Sequence, residues 1–512
     1  MGKVVAVDAG TTGVRALVVD EGAQVADVAY RELTQHFPRP GWVEHDAAEI
    51  WDAVCATLAE VGARLAGAGD TVAAIGITNQ RETLVAFDRS TGRPLHRAIV
   101  WQDRRTAPLC RRLVDAGHLP FVRATTGLVL DPYFSATKAA WLLEHGDLPL
   151  PADHPDLSFC TVDTWVLWNL TGGTAGGTFA TDASNASRTL LFDTAARAWS
   201  PELCDLFGVP MHTLPEVRPS AGRFGAAALD DLGPAAGVLH GVPVSGVLGD
   251  QQAALFGQCC FAPGMVKVTY GTGSFVLANA GPERPPAPEG LTVSCAWDLG
   301  AHAPDPVAYA LEGSAFVSGA AIQWLRDGLG IIEDAAEMGP LAASVPDSGG
   351  VTFVPALTGL GSPQWDPGAR GIVTGITRGA GRAQLARACV EAMAFQVRDM
   401  TDAMAAASPH PLSALRADGG AAAMDLLLEL QAEQSRMRVA RPRSTESTAL
   451  GAATVAGLAE GVWSSLHELA ALWQADAVFD PQLPVELTDA VHAVWLRAVE
   501  KSMGWASPEI SP

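Results

Sequence analysis

The chain has 512 residues, of which 48% are hydrophobic and 18% are charged, and its formal net charge is −22. This length exceeds what one compact core usually holds, so we expect two or three domains, and the composition is typical of globular enzymes. The strong acidity argues against nucleic acid and anionic membranes as partners, because both attract basic surfaces.

Neither the N-terminus nor the cysteine pattern indicates export. Asp8 interrupts a very short apolar run, which is not the layout of a signal peptide, and no uncharged apolar stretch is long enough to span a bilayer. The eight cysteines include no C-x-x-C pair and no zinc-type spacing, which favours scattered reduced thiols. We therefore expect a cytoplasmic protein without membrane insertion.

The first element in the chain is a pair of apolar runs within residues 4–20, joined by a small polar turn. Gly10 and Gly13 allow backbone N–H groups to approach an anion, and the threonines between them add hydroxyl donors. Asp8, at the end of the first run, can hold Mg²⁺ directly or through water. The pattern fits a phosphate-binding hairpin, and a plain tight turn between strands is the alternative.

Strand and helix signals alternate through the rest of the first half. Residues 72–78 and 83–87 are apolar runs typical of strands, and residues 147–156 are a Pro-rich loop. Residues 135–145 predict a helix that Ser135 can cap and that Gly146 ends.

A second hairpin of the same kind follows at residues 265–278, around Gly271-Thr272-Gly273. Longer helices are predicted beyond it, at residues 318–329, 382–407, 424–435 and 448–460. A turn that only connects two strands has no reason to recur near the centre of the chain. The repetition therefore predicts a duplicated α/β fold. We expect two domains, 1–253 and 254–512, with a ligand cleft between them.

Two clusters in the first half carry polar or aromatic side chains in unusual positions. Arg81 and Glu82 stand side by side where a strand ends, which is either a solvated turn or a pair that serves two hydroxyls of a small polyol. Trp101 and Tyr133 are either core aromatics or the walls that face the C–H side of such a ligand.

Two further clusters adjoin the predicted domain boundary and the later helices. Asp250 follows an apolar strand and precedes an Ala-rich segment, so it is either a helix N-cap or a general base facing the cleft. Gly419-Gly420 precedes a predicted helix, where it allows close approach of a nucleotide.

Taken in order, these clusters resemble the FGGY family of carbohydrate kinases along nearly the whole chain. Residues 79–83 with Trp101 and Tyr133 are most similar to the members that act on glycerol rather than on sugars. The matching segments are residues 8–15, 76–83, 99–106, 130–138, 161–173, 181–189, 214–218, 249–258, 269–275, 311–314, 322–326, 354–378, 418–421 and 448–461.

The resemblance implies duplicated RNase H-like domains of the actin-like ATPase type, closing around a central cleft. It implies ATP-dependent phosphorylation of glycerol to sn-glycerol 3-phosphate with Mg²⁺, by a homodimer or homotetramer. Another small polyol or dihydroxyacetone is the alternative acceptor, because the same polar and aromatic groups would serve it.

The resemblance also implies roles for individual residues. Asp250 would be the catalytic base, and Asp8 and Asp250 would anchor the metal. Glycerol contacts would come from Arg81, Glu82, Trp101, Tyr133, Asp250, Gln251 and Phe275. Nucleotide contacts would come from Thr11, Thr12, Gly13, Arg15, Thr272, Gly319, Gln323, Gly420 and Met424.

Two departures from the family pattern carry expectations. Met424 stands where glycerol-specific members usually have Asn, and a thioether cannot donate that hydrogen bond to the nucleotide. Members inhibited by fructose 1,6-bisphosphate carry a Gly-Thr-Arg loop before the strand that leads to Asp250. Residues 237–241 contain no arginine, so we expect that inhibition to be absent or weak.

Overall fold

The first half of the chain is built on a six-stranded sheet in the computed structural model, which describes residues 2–230 and 232–506. Three neighbouring strands run parallel, so their carboxyl ends meet at one edge of the sheet, and the flanking strands run antiparallel. The order across the sheet is Ala221–Ala226, Pro243–Gly249, Val72–Asn79, Lys3–Ala9, Gly13–Val19 and Val25–Glu32.

The second half repeats this arrangement in a seven-stranded sheet. The strands of each sheet can be followed from one neighbour to the next, starting at Val25–Glu32 in the first sheet and at Val307–Ala315 in the second. In both sheets the neighbours then form two antiparallel pairs, two parallel pairs and one antiparallel pair. The predicted duplication is therefore confirmed. The order is Thr292–Asp298, Val307–Ala315, Ser274–Gly281, Met265–Tyr270, Ala414–Asp418, Val439–Pro442 and Ala475–Phe479.

A smaller sheet is inserted in the first half. Its strand Ala98–Ile99 precedes Trp101 in the sequence, and its strand Leu157–Thr161 follows Tyr133. Its strands are Glu44–His45, Ala98–Ile99, Leu84–Asp88, Arg93–Pro94 and Leu157–Thr161. Three further strand pairs are Ala180–Asp182 with Glu216–Arg218, Phe192–Asp193 with Ala198–Trp199, and Thr352–Val354 with Ile372–Thr374.

Helices flank both sheets, and in the part of the chain that is described none is long and apolar enough to cross a membrane. Their bounds are Ala47–Ala68, Ala107–Asp115, Leu119–Thr126, Ser135–His145, Val162–Leu170, Ala183–Ala186, Pro201–Phe207, Ala236–Leu239, Asp250–Gly257, Gly319–Asp327, Met338–Ala343, Arg382–Ala407, Asp425–Ser435, Ser447–Ala459, Leu466–Leu472 and Val485–Ser502.

Most predicted bounds agree to within one or two residues, and one capping role was wrong. Ser135 is the first residue of its helix rather than the cap, and its hydroxyl donates to the Glu82 carbonyl at 3.0 Å. The strand expected from residue 83 begins at Leu84, because Glu82 takes a left-handed conformation with φ of 63°.

The two halves are interlocked by one late helix. Ser447–Ala459 packs against the first sheet and the helix Asp250–Gly257, while Ala47–Ala68 covers the opposite face of that sheet. The contact is close because it uses glycine: a Cβ added at Gly451 would lie 1.8 Å from the Ala253 carbonyl oxygen. The first sheet therefore obtains part of its core from the second half of the sequence.

Candidate active site

The carboxyl ends of the three parallel strands bring together side chains that are far apart in the sequence. Asp8 lies near the end of the first strand, Arg81 and Glu82 follow the second, and Asp250 follows the third. Arg81 Nε lies 3.0 Å from Asp250 Oδ1. The Arg81 side chain is only 1% exposed, whereas that of Asp250 is 29% exposed and so remains partly accessible.

Arg81 is held by a residue from the second half to which the sequence analysis assigned no role. Its two terminal nitrogens, Nη1 and Nη2, donate to both carboxylate oxygens of Glu312, each at 2.8 Å. Nη1 also donates to Gln252 Oε1 at 3.1 Å. A bidentate pair of this kind fixes the plane of the guanidinium as well as its position.

Arg188 completes a closed set of four buried charges with Arg81, Glu82 and Glu312, which we call the charge ring. Its Nε donates to Glu82 Oε1 at 2.6 Å, and its Nη1 lies 3.1 Å from Glu312 Oε2. Glu82 Oε1 lies 3.8 Å from Arg81 Nε, which closes the ring. Because positive and negative charges alternate and sum to zero, they can be buried at tolerable cost.

The two arginines of the charge ring decide the charge state of Glu312. Burial alone would raise the pKa of the Glu312 carboxyl, but Arg188 and Arg81 more than offset this and hold the pKa at about 2. Glu312 therefore stays ionised. A sequence signal for it exists, since it is the one charge within the apolar strand Val307–Ala315.

Three aromatic side chains from separate parts of the chain meet beside these charges, and we call them the aromatic wall. The ring centroids of Trp101 and Tyr133 are 5.6 Å apart, and those of Trp101 and Phe275 are 6.3 Å apart. Trp101 Nε1 donates to Thr11 Oγ1 at 2.9 Å, which ties the wall to the first hairpin. Arg81 Nη2 donates to the Tyr133 hydroxyl at 3.4 Å.

Gln251 is oriented by a buried lysine that the sequence analysis missed. Lys267 Nζ donates to Gln251 Oε1 and, at 3.0 Å, to Thr269 Oγ1. Burial lowers the pKa of Lys267 to about 8, against the opposing effects of Asp418 and Asp250. Because Oε1 is occupied, the amide nitrogen of Gln251 is the atom left for a ligand. A lysine inside the apolar strand Met265–Tyr270 was the available signal.

The turn of the first hairpin is braced from several sides. Gly10 N donates to Gly13 O at 3.0 Å, and Gln80 Nε2 donates to Gly10 O at 3.1 Å. Arg15 leads away from the turn and pairs with Glu446, its Nη1 lying 3.1 Å from Oε2.

Asp8 and Asp250 are the two carboxylates that the sequence analysis predicts as anchors for a metal ion. Burial raises the pKa of Asp8 to about 7, with Arg15 opposing this and Asp250 and Glu446 adding to it. Within residues 2–230 and 232–506, no group of three or more His, Cys, Asp or Glu side chains could hold a metal ion.

The second half contains a cavity of about 760 Å³, which is within the range of small-molecule sites. Five of the predicted nucleotide contacts line this second-half cavity: Thr272, Gly319, Gln323, Gly420 and Met424. Most other lining side chains are small or apolar: Ile322, Ala335, Ala336, Pro340, Ala343 and Leu426. The predicted contacts of the first hairpin, Thr11, Thr12, Gly13 and Arg15, are not part of this lining.

Comparison with known proteins shows that both halves of the chain match domains of one family. The profile of the N-terminal domain of the FGGY family of carbohydrate kinases matches residues 3–257, and that of the C-terminal domain matches residues 266–460. The glycerol kinase of Bordetella parapertussis is 49% identical over 507 residues, covering 99% of this chain and 98% of the relative. The glycerol kinase of Trichlorobacter lovleyi is 52% identical over 514 residues, covering 99% and 100%.

Solved structures agree on the fold. The crystal structure of Plasmodium falciparum glycerol kinase with ADP is 31% identical, with a TM-score of 0.90 and 98% of each chain covered. Ligand-bound xylulose kinase from Lactobacillus acidophilus has a TM-score of 0.85 at 20% identity, covering 98% of this chain and 97% of that one. At that identity the likeness concerns the fold alone, and the predicted two-domain α/β architecture is confirmed.

Proposed function

Since the chain belongs to the FGGY family of carbohydrate kinases, we propose that it transfers the γ-phosphoryl group of ATP to a terminal hydroxyl of glycerol. The products are sn-glycerol 3-phosphate and ADP. The observation that carries the proposal is the meeting of Arg81, Glu82 and Asp250 beside the aromatic wall. Relatives near 50% identity that are named glycerol kinases support glycerol as the acceptor.

Polar side chains bind the hydroxyl groups of glycerol, and aromatic side chains contact its carbon chain. Arg81 donates to one of the two hydroxyls that do not react, and Glu82 accepts from the other. The aromatic wall covers the C–H side of the carbon chain and keeps water away from it. Gln251 adds its amide nitrogen as a further donor, because Lys267 occupies its oxygen.

Asp250 accepts the proton of the attacking hydroxyl. The pKa of an alcohol lies near ~15.7 and that of a carboxyl near ~4, so the carboxylate cannot ionise glycerol beforehand. Phosphoryl transfer has a loose transition state, and the proton moves late, as the new phosphorus–oxygen bond forms. Burial raises the pKa of Asp250, and Arg81 and Lys267 oppose that rise.

ATP spans both halves of the protein. Its adenosine lies in the second-half cavity, and backbone N–H groups of the two hairpins, at residues 8–15 and 270–274, contact the β- and γ-phosphates. Asp8 and Asp250 would hold Mg²⁺, which would neutralise charge on the phosphate oxygens. The residues fit this ion, since Mg²⁺ usually takes one or two carboxylates and completes its shell with water and phosphate oxygens.

The part built on the first sheet, which includes the helix Ser447–Ala459, and the part built on the second sheet close around the two substrates. Closure excludes water, which is a competing acceptor for the phosphoryl group. Hydrolysis of ATP in the absence of glycerol is therefore slow. Rapid ADP formation without an acceptor would contradict this account.

A steady-state assay tests the proposed function. ADP formation from ATP and Mg²⁺ is measured with glycerol, erythritol or dihydroxyacetone as the acceptor, and the product from glycerol is identified by its chirality. We expect the highest kcat/KM for glycerol, because two fixed polar groups match its two non-reacting hydroxyls. A higher value for dihydroxyacetone or erythritol would show that the enzyme acts on another small polyol or ketone.

A further inference from the structure

The charge ring contains two residues that the proposed function does not use. Arg188 follows the short helix Ala183–Ala186, and Glu312 lies in the second-half strand Val307–Ala315. Their side chains are 1% and 0% exposed. Fully buried charges need a reason to persist in a protein, because apolar residues of similar size often stabilise a core as well or better.

Glu312 determines which nitrogen of Arg81 is left for a ligand. It accepts from both terminal nitrogens of the guanidinium at 2.8 Å, so each of these already has a charged partner. Arg81 Nε is buried and makes no hydrogen bond with any described residue, although Asp250 Oδ1 lies only 3.0 Å away. An unsatisfied buried donor beside the catalytic carboxylate is suited to a hydroxyl of the acceptor.

Arg188 fixes the other side of the same site. Its Nε donates to Glu82 Oε1 at 2.6 Å, which leaves the second carboxylate oxygen of Glu82 to accept from a ligand. Its guanidinium carbon lies 5.4 Å from the centroid of the Tyr133 ring, within the range of a cation–π contact. One side chain thus restrains both an acceptor group and a part of the aromatic wall.

We propose that Arg188 and Glu312 are positioning residues that determine how well the enzyme recognises the non-reacting hydroxyls of its acceptor. This inference rests on the proposed function. The two residues do not touch the substrate; they hold Arg81 and Glu82 in the one arrangement that leaves a donor and an acceptor facing it. Because Glu312 comes from the second half, recognition of the acceptor depends on both halves being in place.

The test is the double variant Arg188→Gln/Glu312→Gln, which removes one positive and one negative charge and leaves the buried site neutral. Glycerol is compared with propane-1,2-diol, which keeps a reacting hydroxyl and lacks one of the two others. In the wild type we expect kcat/KM for glycerol to exceed that for the diol on the order of 10²-fold or more. In the double variant we expect this ratio to fall about tenfold, as for one lost charge-assisted hydrogen bond.

The kinetic pattern separates positioning from a general structural role. KM for glycerol should rise about tenfold while kcat changes little, since the lost contacts bind the ground state and the transition state alike. KM for ATP should not change. Arg223→Gln is the matched control, because the Arg223 side chain is 72% exposed and forms an ion pair with Glu460 at 2.6 Å.

Each outcome decides the question. A glycerol-to-diol ratio and a glycerol KM within twofold of the wild type would overturn the proposal, and so would an equal loss for both acceptors. If the double variant does not fold, Glu312→Asp keeps the charge, shortens the side chain and is held to the same ratio. A wild-type enzyme that does not phosphorylate glycerol would contradict the proposed function itself, which is a separate result.

Discussion

Replacing Asp250 by Asn tests the chemical step most directly. Asn has nearly the same shape, and its Oδ1 can still lie beside Arg81 Nε, which is 3.0 Å from the carboxylate in the wild type. What the variant loses is the ability to accept the proton of the attacking hydroxyl. We therefore expect a large loss in kcat and a small change in KM for glycerol.

The size of the loss follows from the role of a general base. A positioned base contributes typically ~10²–10⁴-fold to the rate. At about 1.36 kcal/mol for each factor of ten, this corresponds to roughly 2.7–5.4 kcal/mol of lost transition-state stabilisation. The lower part of this range is expected, because the Asp250 side chain is partly exposed and water in the cleft can accept the proton less efficiently.

The assay is glycerol-dependent ADP formation at saturating ATP and Mg²⁺, with glycerol binding measured separately by calorimetry. Asp480→Asn is a matched control, since Asp480 forms an exposed ion pair with Arg438. A kcat for Asp250→Asn within threefold of the wild type would refute the assignment of the base. Loss of glycerol binding with unchanged kcat would instead assign Asp250 to recognition.

Three further predictions concern packing, pH and the nucleotide. Gly451→Ala should lower the free energy of unfolding by about 1–3 kcal/mol or more, measured by urea denaturation, because the new Cβ would lie 1.8 Å from the Ala253 carbonyl oxygen; an unchanged midpoint would contradict the close packing. Burial lowers the pKa of Lys138, which donates to the Tyr133 carbonyl at 2.6 Å, to about 8. Between pH 8 and about 10.4 the unfolded chain therefore binds more protons than the folded one. The stability of the wild type relative to Lys138→Met, measured by thermal unfolding, should rise with pH over that range. A difference in stability that does not change with pH would contradict the lowered pKa. Met424→Asn should lower KM for ATP about fivefold, as for one added hydrogen bond of ~1 kcal/mol, and an unchanged or higher KM would argue against a nucleotide contact at this position.

The sequence predicted those parts of the site that depend on local order. Arg81 and Asp250 could be placed because each comes within two residues of the end of an apolar strand, and the ends of neighbouring parallel strands meet at one edge. The second hairpin was found in the same way, since its glycine turn repeats the first. Helix bounds followed from apolar periodicity and stop residues, and Arg382–Ala407 agrees with its prediction.

Pairings across the fold could not be read from the sequence. Arg188 and Glu312 are 124 positions apart, and nothing local to either names its partner. Arg15 was expected to face phosphate, and its contact with Glu446 joins residues 431 positions apart. Ser447–Ala459 was recognisable as a helix, but its apolar residues give no indication that it packs on the first sheet.

That helix has a consequence for how the protein is made. The first sheet emerges from the ribosome long before residues 447–459 are synthesised, and until then one apolar face of the sheet lacks the helix that packs on it. The nascent first half therefore stays partly folded until this segment is synthesised near the end of translation. Genetic truncation after the first half would not release an independent domain; it would leave a sheet with an exposed face.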